Sequence, residues 1–90
     1  MKFSEIFGIT ASEARMRLDR ASFDRELPVS DGALVECRVI PIEPQPGVAN
    51  WLDHALYAAR RRGWLLLVEE WGMYLVEPKQ PLALYGVGES

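Results

Sequence analysis

Residues 44–78 read PQPGVANWLDHALYAARRRGWLLLVEEWGMYLVEP, and this stretch decides the fold. It holds all three tryptophans of the chain, Trp51, Trp64 and Trp71, and most of its apolar bulk. On a wheel of 3.6 residues per turn, Val48, Trp51, Leu52, Ala55, Leu56, Ala58 and Ala59 share one broad arc. Asn50, Asp53, His54, Tyr57, Arg60 and Arg61 fall opposite. That is the stripe of a helix lying on a sheet, and it predicts a helix over 48–62. Pro46, Gly47 and Asp53 suit its start. The triplet Arg60-Arg61-Arg62 sits where the helix dipole favours cations, and Gly63 supplies the left-handed stop. Trp64 to Val68, WLLLV, is a short unbroken apolar run and reads as a strand buried on both faces. Glu69-Glu70-Trp71-Gly72 is a tight reversal with Gly72 available for positive φ. Met73 to Glu77 returns as a strand.

Outward from this stretch, the residues after Pro78 contain a second turn, Pro78 to Pro81, and a short last strand, Leu82 to Val87. Before it, Ala33 to Ile40 alternates apolar and mixed positions, which is a half-buried strand. Pro41 cannot donate to a ladder, so the strand ends there or lies at an edge. Leu27 to Gly32, LPVSDG, reads as loop. Phe3, Ile6 and Phe7 share one helical face, and Gly8 stops that turn. Thr10-Ala11-Ser12-Glu13 has the form of a capping box, so a helix is expected to follow to about Asp24. Its apolar stripe is Ala11, Ala14, Leu18 and Ala21.

The resulting class is α+β. An N-terminal helical hairpin precedes a β-α-β-β-(β) unit with a small mixed sheet, in which strand, crossover helix and strand form a right-handed unit. The 90 residues make one domain, 1–90, with a helical N-terminal segment over 1–27 and an α+β core over 33–87. A second copy is expected to help a core of this size, so a homodimer is the expected state. The net charge is −3 and argues against a general polyanion binder. Five basic and five acidic residues balance up to Leu27, so the deficit lies after it. A lone Cys37 cannot form an internal disulfide, and no apolar run approaches the roughly 20 residues of a membrane span. The expected compartment is the cytoplasm, with no membrane partner.

Residues 3–21, FSEIFGITASEARMRLDRA, resemble the helix-turn-helix of sigma-factor region 4 at Phe7, Gly8, Ile9, Thr10, Arg15, Arg17, Leu18, Arg20 and Ala21. The resemblance covers about a fifth of the chain. It implies that Gly8 makes the turn and that the helix from Ala11 enters a DNA major groove. Ser12, Glu13, Arg15, Met16 and Arg17 would then face DNA. Apart from that resemblance, Arg60-Arg61-Arg62 is the only basic run and could grip phosphate, with Trp64 or Tyr57 stacking a base; Arg60 and Arg61 join Ser12, Arg15 and Arg17 as the candidate nucleic-acid contacts.

Candidate chemistry is sparse. His54 is the one histidine and lies on the polar helix face, with no orienting acid and nucleophile in reach. Cys37 falls on the apolar face of its strand and reads as a small hydrophobe. No zinc spacing, phosphate loop, dinucleotide fingerprint or nucleophile elbow is present, so no metal, cofactor or catalytic residue is assigned and an enzyme is not expected. Folding alone leaves Glu69, Glu70 and Trp71 least explained. A turn tip rarely needs a tryptophan, and tryptophan is enriched among binding hot spots. The expected function is therefore a small protein-binding regulator, an inhibitor or adaptor of bacterial or phage type, with that tip as its contact. A DNA-binding transcriptional regulator using residues 3–24 is the alternative.

Overall fold

A computed structural model describes residues 1–28 and 32–80. The expected strand at Leu82 to Val87 lies outside the described residues, as does part of the LPVSDG segment. The elements in chain order are α1 (Phe3–Phe7), α2 (Ala11–Arg20), β1 (Phe23–Pro28), β2 (Leu34–Ile42), α3 (Trp51–Arg60), β3 (Leu65–Glu69) and β4 (Gly72–Pro78). The α+β class stands. The four strands form one sheet in the order β1-β2-β4-β3, and every neighbouring pair is antiparallel. Among the described residues the sheet is therefore antiparallel and not mixed. Since β2 and β3 both run antiparallel to β4, they run parallel to each other, as a crossover demands, but β4 is inserted between them.

Two boundaries differ from expectation for identifiable reasons. The helix expected to reach Asp24 ends at Arg20, and Phe23–Pro28 is a strand instead. Ala21 leaves helical geometry at φ −135°, and the Ser22 hydroxyl donates to the Leu18 carbonyl at 2.8 Å. The charged residues Asp24, Arg25 and Glu26 look helical in isolation, yet they suit an edge strand, where charge discourages pairing with other chains. Strand β2 also runs through Pro41, which pairs with Tyr74. Pro41 lies beyond Val39, the last residue paired with β1, so β2 is locally an edge there and its missing N–H costs no ladder bond.

The three described helices lie on one sheet face. Ile6 and Phe7 of α1, Ala14 and Leu18 of α2, and Trp51, Ala55 and Ala59 of α3 join Ile40, Ile42, Trp64 and Leu75 in one buried cluster. The helical hairpin thus packs beside α3 and does not cover the other face. On that face Val35, Cys37, Val39 and Val76 are buried with Leu27, Leu67 and Tyr74 against them. The sheet curls toward this side: although β1 and β3 are its two edges, Arg25 on β1 reaches Glu69 on β3 at 2.7 and 3.1 Å.

Helix α3 is shorter than the expected 48–62, and its apolar arc is only partly used. Trp51, Ala55 and Ala59 are buried, but Leu52 and Leu56 are 46% and 41% exposed. Its C-terminal stop is as expected. Trp64 N–H bonds to the Ala59 carbonyl and Gly63 N–H to Arg60, with Gly63 at φ +75°. This is the paired 6→1 and 5→2 arrangement that glycine permits without a Cβ penalty. Gly8 plays a similar part after α1 at φ +75°, and a Cβ there would come within 3.1 Å of Gln45. Of the capping box before α2, half forms: the Thr10 hydroxyl accepts from Glu13 N–H at 3.1 Å. The Glu13 carboxylate turns instead to Arg17 at 2.8 Å.

Candidate functional site

The hairpin of β3 and β4 closes on the Glu69–Gly72 pair, so Glu70 and Trp71 alone form its loop. Gly72 sits in the ladder opposite Glu69, and the turn does not use the positive φ that was open to it. Among the described strands β3 is a sheet edge, with exposed and half-buried side chains, not the doubly buried strand expected from WLLLV. The apolar run is needed on both sides for different reasons: Leu66 packs on the helical cluster and Leu67 on the opposite one.

Trp71 is 87% exposed at the end of this hairpin. It does not fold back onto the sheet. The other two tryptophans are buried, and each has its indole N–H satisfied: Trp51 donates to the Ile6 carbonyl and Trp64 to Glu77. Glu70 beside Trp71 is exposed. Glu69 is tied down by Arg25, whose hydrogen bonds hold its carboxyl below the ordinary carboxylate range. The three tip residues therefore differ in role. Glu69 anchors the base of the hairpin, and Glu70 and Trp71 face solvent.

The residues of the DNA reading are placed differently. Arg15 makes a two-pronged pair with Glu77 and a second pair with Asp19 at 2.7 Å. Arg17 pairs with Glu13. Both arginines would have to leave these carboxylates to reach phosphate. Ser12 and Arg60 are exposed, and Arg61 lies over the Tyr57 ring at 5.8 Å. Sequence reasoning missed the Arg15–Glu77 pair, because the two residues are far apart in the chain and meet only when α2 packs over β4. An acid at the end of an otherwise apolar strand was the available signal.

No family model, curated protein or solved structure matches the chain.

Arg15 and Glu77 stand at the centre of a polar cluster that links α2 to the sheet. Glu77 accepts from both Arg15 and the Trp64 indole at 3.2 Å, with Arg38 at 3.8 Å. The Arg15 hydrogen bonds are the largest influence holding the Glu77 carboxyl below its usual range, the indole acts the same way, and burial opposes them. Asp19 is lowered by the same guanidinium. Cys37 is buried, which pushes its thiol up and away from reactivity. His54 lies on the exposed surface, and among the described residues no group of three histidine, cysteine or acidic side chains is placed to hold a metal.

A pH prediction follows from the lowered carboxyls. A group whose folded pKa lies below its unfolded value stabilises the fold above the unfolded pKa, and that stability is lost as pH falls through the folded pKa. For glutamate and aspartate the loss begins near about pH 4 to 5. Thermal melts should therefore show a constant midpoint from neutral pH to that range and a steep fall below it. Glu77→Gln should be less stable at neutral pH and have a shallower acid slope. Identical acid slopes for the two proteins would contradict the assignment.

Proposed function

We propose that this chain is a small non-enzymatic regulatory protein, an inhibitor or adaptor, that works by binding another protein through the tip of its β3–β4 hairpin. The observation that carries this reading is Trp71, at 87% exposed, on a two-residue loop anchored by paired strands and by the Arg25–Glu69 ion pair. Burial in the fold accounts for the other tryptophans and not for this one. A large flat side chain held out on a short hairpin loses little conformational freedom on binding, and the exposed carboxylate of Glu70 favours a basic partner surface. Fixing Glu69 to Arg25 leaves one free acid beside the ring, so the tip offers an aromatic anchor with a single steering charge.

A cytoplasmic setting and a bacterial or phage origin belong to the same proposal. The first rests on the lone cysteine, and among the described residues no helix is long and apolar enough to cross a membrane. The second rests on small size alone. The homodimer is also part of it, supported by Leu52 and Leu56. They lie one turn apart on α3 and leave apolar surface that a second copy would cover. The DNA-regulator reading ranks below, because Arg15 and Arg17 are already spent on carboxylates.

The test is affinity capture from native cell extract with the wild-type chain and with Trp71→Ala as baits. A specific partner protein should be retained by the first and lost by the second. Against that purified partner the substitution should cost about 2 kcal/mol or more, roughly a thirtyfold loss of affinity. The melting free energy should change by less than about 0.5 kcal/mol, as for an exposed residue with no packing role. Equal capture by the two baits would refute the proposal. A large loss of stability would return Trp71 to the core.

A further inference from the structure

Between α1 and α3 the surface sinks into a cavity of about 400 Å³. Phe3 and Ile6 line it from α1, and His54, Tyr57, Arg61 and Arg62 from α3 and the turn after it. No carboxylate lines it among the described residues, although the chain carries a net charge of −3. Its two arginines are also handled unlike most others. Arg15, Arg17, Arg25 and Arg38 each have a carboxylate within salt-bridge distance. Arg61 and Arg62 have none among the described residues and lie over aromatic rings instead. Arg62 sits 5.0 Å from the centre of the Phe3 ring, and Arg61 5.8 Å from that of Tyr57.

We infer that this cavity binds a small phosphate monoester that carries a flat ring, of the size of a nucleoside monophosphate. Three features support that chemistry. A guanidinium held against an aromatic face keeps its N–H groups pointing outward in its own plane, and two guanidiniums lining one cavity offer a phosphate more donors than a single cation. The rim adds the imidazole of His54 and the phenol of Tyr57, both able to donate to phosphate oxygens. The floor is apolar and aromatic at Phe3 and Ile6, and the exposed Tyr57 ring offers a stacking face. The volume falls in the range of ligand pockets, roughly 300–1,000 Å³. The site is formed by residues other than those of the Trp71 tip, so neither proposal depends on the other.

Isothermal titration of the full chain with adenosine monophosphate, adenosine and inorganic phosphate separates the parts of the argument. The monophosphate should bind saturably, with affinity that falls as salt rises. Adenosine and inorganic phosphate should each bind at least about tenfold more weakly, since each lacks one half of the contact. The double variant Arg61→Gln, Arg62→Gln should lose at least about tenfold in affinity with an unchanged melting point, because both side chains are exposed. Arg20→Gln, which removes an exposed charge on α2 outside the cavity, should bind as wild type. Absence of saturable monophosphate binding would overturn the inference. So would equal binding by the double variant, equal binding of inorganic phosphate, or an equal loss in Arg20→Gln.

Discussion

Trp51→Ala is expected to destabilise the chain by about 3–5 kcal/mol, the cost of removing a buried tryptophan from a packed core. Net stability runs at about 0.05–0.15 kcal/mol per residue, roughly 4.5–13.5 kcal/mol for 90 residues, so the substitution removes a large share of it. The variant should therefore unfold at a markedly lower urea concentration than the wild type. The reason lies in what Trp51 joins. Its ring meets Phe7 edge-on at 6.2 Å between centroids, and its indole N–H donates to the Ile6 carbonyl at the end of α1. A five-residue helix has no stability of its own, so α1 depends on this anchor. Alanine removes the ring contact and leaves the Ile6 carbonyl without its donor. Trp51→Phe keeps an aromatic ring but loses the hydrogen bond and part of the ring volume, and should cost less than the alanine variant, about 1–3 kcal/mol, mostly the penalty of an unsatisfied buried acceptor. Urea titrations followed by circular dichroism distinguish the two. A change below about 1 kcal/mol for the alanine variant would mean that α1 is not held as described.

Leu75→Ala should have an effect of similar size, about 2–5 kcal/mol, for a different reason. Leu75 is fully buried at the centre of the sheet, opposite Ile40 on β2 and Leu66 on β3. It lies in the cluster that receives all three helices, so truncation opens a cavity at the junction of the layers. Its walls are strands and packed helices that cannot collapse freely, which places the cost in the upper part of the range. Leu75→Val removes less volume and should cost about 0.5–1.5 kcal/mol, by analogy with other single-methylene deletions. The ratio between the two variants in the same urea titration is the informative quantity. Equal and small effects would show that the centre of the sheet is loosely packed.

The elements most legible in the sequence were those whose signals are local. Gly63 after an arginine triplet marked the end of α3 within a few residues, and the Thr10 cap marked the start of α2, since both depend on neighbouring backbone groups. The strand Leu34–Ile42 showed through its alternation. What did not show was set by neighbours distant in the chain. Phe23–Pro28 is a strand because β2 offers it a ladder, and nothing in FDRELP requires that. Leu65–Glu69 looked like a central strand from its run of leucines, but the curl of the sheet and the helix above it use those leucines at an edge. Leu52 and Leu56 fell in the apolar arc of α3, yet α3 needs only its narrower Trp51-Ala55-Ala59 stripe to pack. For the candidate site, its place at a turn tip singled out Trp71, and the structure supplied its exposure. The division of labour between Glu69 and Glu70 depended on Arg25, on a strand that local patterns did not reveal.

The strand order has a consequence for how the chain is made. The central strand β4 is the last of the described strands to leave the ribosome, and β3 joins the sheet only through it. Until Gly72–Pro78 has emerged, the nascent chain has a β1–β2 hairpin on one side and an unattached leucine-rich segment on the other. Translation that stops upstream of Gly72 yields two fragments of a sheet with nothing between them, a product suited to rapid clearance by cellular proteases.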